Sequence, residues 1–130
     1  MGVKDGDIYK LKIEGRVTPF NVTAVVSPAA RKKGLSGHPK LAPGTGFLFI
    51  FDTLSYQTMW MPDMKFPLDI VWLDETFTIV NITYNAAPCE SRDDCPSYSS
   101  VNLVKYAIEM TAGEANKCGF ALGKEVTVWY

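Results

Sequence analysis

The sequence lacks most of the residues and runs that mark particular functional classes. It has a single histidine, His38, and a formal net charge of −1. Its basic residues are scattered, so no nucleic-acid partner is expected, because such binding needs a basic face. No apolar run approaches the roughly 18 residues that span a bilayer, so no membrane span is expected either. Phosphate-binding glycine loops and the G-x-S-x-G nucleophile motif are also absent.

The beginning of the chain lacks the apolar segment of an export signal. We therefore expect residues 1–6 to be a disordered or cloning-derived start, and residues 7–130 to form one β-rich domain. Any export signal would lie outside this sequence.

Cysteine is scarce, with Cys89, Cys95 and Cys118 as its three occurrences. Cys89 and Cys95 bracket a five-residue polar loop, a spacing that predicts a disulfide and, with it, an extracytoplasmic location. A zinc pair is disfavoured, because the one histidine is distant in sequence. A hard-cation site is disfavoured too, because no calcium-loop spacing links the acidic residues. We predict no metal and no cofactor.

Short stretches of alternating polarity predict a mainly β (α+β) fold. About seven strands follow from this pattern, over residues 7–14, 20–26, 47–51, 68–73, 77–84, 104–110 and 125–130. One short helix is predicted over 29–35 after a Ser27-Pro28 cap, and another from 111–114 to Cys118. Helices so few and so short do not suit parallel α/β winding, so we expect a compact antiparallel β-barrel or sandwich-like domain.

The segment 58–69 fits no regular element. It contains one Trp, one Phe, three Met, two Asp and two Pro. The prolines exclude a plain helix, and the alternation is too poor for an ordinary half-buried strand. Trp60 is therefore either the plug of one barrel end or the wall of a pocket, with the methionines filling gaps around it.

A series of short motifs occurs in a characteristic order. They are Gly34-Leu35, Gly46-Phe47-Leu48-Phe49, Trp60-Met61, Pro67-Leu68-Asp69-Ile70, Ile79-Val80, Glu109, Ala112-Gly113 and Gly123. This pattern resembles the protein family catalogued as domain of unknown function 192, over about residues 22–128. The resemblance implies a compact β-rich fold, frequently exported, with no established activity. The sequence departs from the family at Pro62-Asp63-Met64, where the family has Lys-Asn-Thr, and at Lys124, where it has Asp, so no ligand contact is carried over to position 63.

Three functional hypotheses remain open. The first is an exported or cell-surface, non-enzymatic module that binds a small or glycan-like ligand. Its candidate ligand-binding residues are Trp60, Asp63, Phe66, Asp69 and Tyr98. The second is a hydrolase or isomerase with Asp63 and Asp69 as an acid–base pair, although Asp69 could instead cap backbone N–H groups while Asp63 faces water. The third is a structural accessory domain for a protein partner.

Overall fold

The structure, a computed structural model, describes residues 2–89 and 92–129 and is mainly β, as predicted. The strands are β1 (Ile8–Ile13), β2 (Phe20–Val25), β3 (Thr45–Ser55), β4 (Thr58–Trp60), β5 (Leu68–Leu73), β6 (Ile79–Ala86), β7 (Ser97–Ser99), β8 (Val104–Thr111) and β9 (Val126–Trp129). The helices are α1 (Pro28–Lys33) and α2 (Glu114–Lys117), with a 3₁₀ turn at Arg92–Asp94. Within the described ranges no helix is long and apolar enough to cross a membrane.

Seven strands form one curled sheet in the order β6-β5-β8-β3-β2-β1-β9, and β4 pairs with β7 in a second, two-stranded sheet. The pairs are antiparallel except for β2 and β3, which run parallel. A wholly antiparallel sheet was expected. The parallel pair arises because the chain crosses over from β2 to β3 through α1, as parallel neighbours require.

Helix α1 begins where the sequence predicts and is held beside β3. The Ala30 N–H donates to Ser27 Oγ at 3.1 Å, and Pro28 occupies the first turn. The Arg31 guanidinium donates to the carbonyls of Val26 and Ile50 and pairs with Asp52 at 3.2 Å. These bonds fix the helix against one face of the sheet.

The two faces of the sheet carry separate apolar clusters, because neighbouring residues of a strand point to opposite sides. Leu48 pairs with Ile108 and both belong to one cluster. Phe49 pairs with Ala107 and both belong to the other cluster. The segment after β3 covers this second cluster, and its Met61 is 1% exposed.

The second sheet is tied to the disulfide that the sequence predicts. Cys89 and Cys95 are bonded, with Cα atoms 5.0 Å apart, and the Cys89 N–H donates to the Met61 carbonyl at 3.3 Å. Met59 of β4 lies opposite Tyr98 of β7. Neither strand was predicted, because three residues carry too little periodicity. Cys118 forms no disulfide and is partly buried.

Candidate functional site

A cavity of about 400 Å³ opens on the side of the sheet that α1 and β4 cover. Its residues come from α1, the second half of β3, β4 and the loop after it, with Leu68 from β5 and Glu109 from β8. Trp60 forms part of the wall and is 49% exposed. A half-exposed indole cannot plug a barrel end, so the structure supports the wall and corrects the alternative of a plug.

The lining of the cavity combines polar and apolar side chains. Its apolar residues include Phe49, Phe51, Met59, Met61, Met64 and Leu68. The three methionines of the unusual segment therefore face one space rather than filling separate gaps. Such flexible thioether side chains adapt to ligands of irregular shape.

The rim of the cavity is polar and carries positive charge. Lys32 and Lys33 are exposed on α1, and Thr53 and Thr58 are exposed at the opposite side. Arg31 also lines the cavity, but its guanidinium is engaged by backbone carbonyls and by Asp52. The lysines are thus the cations of the rim that remain available to a ligand.

Two carboxyl groups of the sheet line this cavity, the exposed Asp52 and the buried Glu109. Glu109 is 5% exposed and lies opposite Phe47 of β3 and Ile70 of β5. No described residue hydrogen-bonds or ion-pairs with its carboxyl group, and burial raises the pKa of Glu109 to about 8. At neutral pH the group is therefore mainly a neutral acid with an O–H to donate.

The backbone beside Glu109 is closely packed. A Cβ atom on Gly46 would lie 2.5 Å from the Glu109 carbonyl oxygen and 3.0 Å from the Phe20 ring. Glycine at this position therefore lets β3 approach β8 and fixes where Glu109 stands. The sequence analysis missed Glu109 as a site residue. The available signal was an acid between the apolar residues Ile108 and Met110 of β8.

Asp69, by contrast, is a structural residue. It is 1% exposed, and its Oδ1 accepts from the Asn85 N–H at 3.0 Å. Its Oδ2 accepts from the N–H groups of Gly113 at 2.9 Å and Ala115 at 3.1 Å. Asp69 thus joins the end of β6 to the start of α2 and satisfies donors that would otherwise be orphaned. This is the capping role that the sequence left open as the alternative to catalysis.

The geometry does not support the predicted acid–base pair. Asp63 is exposed in a turn with a positive φ of 58°, whereas both oxygens of Asp69 accept backbone N–H groups. Neither residue lines the cavity. A base must reach its substrate, and Asp69 has no free oxygen with which to do so.

The other predicted site residues also lie elsewhere. Phe66 is 6% exposed and belongs to the core cluster, and Tyr98 packs against that cluster from β7. Of the five candidate ligand-binding residues, only Trp60 lines the cavity. In residues 2–89 and 92–129 no three His, Cys, Asp or Glu side chains come together as a metal-binding group.

The comparisons with known proteins agree on the fold and name no activity. The sequence profile of the family DUF192, described as "Uncharacterized ACR", matches residues 9–128. A protein from Sinorhizobium meliloti 1021, provisionally described as a transcription regulator, is similar with 28% identity, a TM-score of 0.86 and 98% of each chain covered. A protein of unknown function from Novosphingobium aromaticivorans DSM 12444 is similar with 22% identity and a TM-score of 0.80, over 92% of this chain and 84% of that one. The comparison with curated protein sequences finds no match. The profile spans almost the whole chain, and the chain therefore belongs to the DUF192 family.

Proposed function

We propose that the protein is a non-enzymatic binding module that holds a small amphipathic molecule in the cavity beside Trp60. The observation that carries the proposal is a half-exposed indole on the wall of a space of about 400 Å³ that apolar and polar side chains line together. Ligand sites in proteins commonly measure about 300–1,000 Å³ and combine an apolar lining with a few polar groups. The cavity has this size, and both apolar and polar groups line it.

The motifs that carry the family resemblance support the same place. Residues from separate motifs line the cavity, namely Gly34, Leu35, Phe49, Trp60, Met61, Leu68 and Glu109. They come from α1 and its end, β3, β4, β5 and β8, which are far apart in sequence. Their convergence on one space favours a shared binding role over a purely structural one.

The cavity favours a small molecule with an apolar body over a free glycan. Trp60 offers an aromatic face of the kind that sugars stack on. However, Phe49, Phe51 and the methionines form an apolar part of the lining, and sugar hydroxyls placed against this part would have no hydrogen-bond partners. An apolar body against these residues and a polar end near Lys32 and Lys33 suit the space better.

We also propose an extracytoplasmic location. The Cys89–Cys95 disulfide supports it, because disulfides persist mainly in oxidising compartments. Counting thiols on the purified protein with and without reductant tests this support. Three free thiols without reductant would remove it.

The description of the Sinorhizobium protein is not extended to this chain. A transcription regulator that binds DNA needs a basic surface, and this chain has 13 basic and 14 acidic residues. The small-molecule cavity remains the better-supported site.

A thermal-shift screen with a broad set of small amphipathic molecules tests the proposed function. Molecules that bind the native state raise the unfolding midpoint by mass action. For each such molecule we expect W60A to weaken binding by about tenfold or more, because an aromatic wall contributes on the order of 1–2 kcal/mol. W129A is the matched control, since Trp129 is also partly exposed, at 40%, but lies on β9 at the far sheet edge. Equal binding to W60A and the wild type would place the site elsewhere.

A further inference from the structure

We infer that Glu109 is the residue that selects the ligand, by donating a hydrogen bond from its carboxyl group to an uncharged carbonyl oxygen. The ligand class is then an apolar molecule that carries a ketone, aldehyde, ester or similar oxygen at the end that enters first. This inference rests on the proposed binding function and specifies its chemistry.

The first support is the state of the Glu109 side chain. Only 5% of Glu109 is exposed to solvent, yet the residue lines the cavity. Most buried polar groups in proteins have a hydrogen-bond partner. None of the described residues supplies one to this carboxyl group. The carboxyl group therefore stays free to hydrogen-bond a molecule that enters the cavity, where a ligand would replace water.

The second support is the neutral form of the acid. The strands beside Glu109 place Phe47 and Ile70 opposite it, and neither carries charge. Burial among such groups raises the pKa of Glu109 to about 8. Below that pH the carboxyl group has a proton to donate, and above it the group becomes an acceptor that repels a carbonyl oxygen.

The charges of the cavity argue against a cationic ligand. The charged groups that line it are Arg31, Lys32 and Lys33 on α1 and Asp52 on β3. Asp52 is paired with Arg31 at 3.2 Å, so a cation would pass two available lysines on its way in. An anionic group is compatible with these lysines at the rim, but beside the buried carboxyl group of Glu109 it would be costly to desolvate. An uncharged hydrogen-bond acceptor is compatible both with the lysines at the rim and with the buried carboxyl group of Glu109.

The test uses three probes that share one ring: acetophenone, benzyltrimethylammonium and ethylbenzene. Their binding is followed on the methionine methyl signals of the full chain by ¹H–¹³C NMR. Met59, Met61 and Met64 line the cavity, whereas Met110 lies in the cluster on the other face and serves as the internal control. Titrations are made at pH 6.5 and pH 9.5, on either side of the pKa of about 8.

At pH 6.5 we expect acetophenone to bind about tenfold more tightly than ethylbenzene, which is the value of one hydrogen bond of about 1.4 kcal/mol. At pH 9.5 the advantage disappears as Glu109 ionises. E109Q, whose amide still donates, keeps the advantage at both pH values. E109L, which cannot donate, binds the two probes equally.

Different failures point to different conclusions. Equal binding of acetophenone and ethylbenzene at pH 6.5, with shifts at the cavity methyls, overturns the role of Glu109 and leaves the binding function standing. Tighter binding of benzyltrimethylammonium that strengthens at pH 9.5 also overturns it, because Glu109 would then act as a carboxylate. If no probe shifts the cavity methyls, the proposed function itself fails.

Discussion

Two buried carboxyl groups lie on the neighbouring strands β5 and β8, and their surroundings are opposite. Asp69 accepts three backbone N–H groups on the side of α2, whereas Glu109 has no partner among the described residues and lines the cavity on the other side. Since Ile70 pairs with Glu109, the adjacent Asp69 points to the opposite face. A carboxyl group bound by the protein's own backbone is part of the scaffold. A carboxyl group that has no protein partner and lies beside a cavity is available to bind a ligand.

The largest effect should come from removing the partnered group. D69A leaves the N–H groups of Asn85, Gly113 and Ala115 without an acceptor, and we expect a loss of about 4 kcal/mol in the free energy of unfolding. Urea unfolding followed by circular dichroism measures it. D94N removes a charge at an exposed position and should stay within about 0.5 kcal/mol. If D69A were as stable as D94N, Asp69 would not be a scaffold residue.

The next largest effect is a dependence of stability on pH that comes from Glu109. The pKa of Glu109 is raised by burial from 4.5 to about 8, so between these values the folded chain holds a proton that the unfolded chain has released. Stability is then highest near pH 5 and falls as pH rises to about 8, by on the order of 3 kcal/mol.

Urea unfolding at several pH values measures this slope, and E109Q is its control because its side chain does not titrate. We expect E109Q to lose most of the pH dependence in this window. Burial also raises the pKa of Tyr106, but from 10.0, which is above the window. An unchanged slope in E109Q would show that another group is responsible.

The smallest predicted effect is a change in the free energy of unfolding that has opposite signs in E109L and D69L. Replacing an unpartnered buried polar group by an apolar one of similar size can be neutral or stabilising. We therefore expect E109L to raise the free energy of unfolding by about 1 kcal/mol at pH 7, whereas D69L lowers it. Chemical unfolding of both variants under the same conditions provides the comparison. Destabilisation by both would mean that Glu109 has a structural role after all.

The sequence predicted the strands that alternate and the helix that a serine and a proline cap. For Asp69 it left two alternatives open, catalysis or the capping of backbone N–H groups, and the structure shows the capping. It could not predict the parallel neighbours β2 and β3, because periodicity carries no information about pairing. The cavity could not be predicted from the sequence either, since α1, β4 and β8 come together only in the folded chain. Asp63, Phe66 and Tyr98 are acidic or aromatic residues in or beside loops, and residue type alone does not show that all three lie outside the cavity.

The order of the large sheet also determines how the chain can fold. β1 pairs with β9, so the first and last strands are neighbours, and Lys10 stands opposite Trp129. β3 and β5 both pair with β8, which follows them by many residues in the sequence, so neither can complete its pairing until β8 is in place. Folds dominated by such distant pairings close large loops before they gain contacts, and they fold in milliseconds to seconds rather than microseconds. During that delay the edge of β1 stays unpaired until β9 forms, and an unpaired strand edge can associate with other chains.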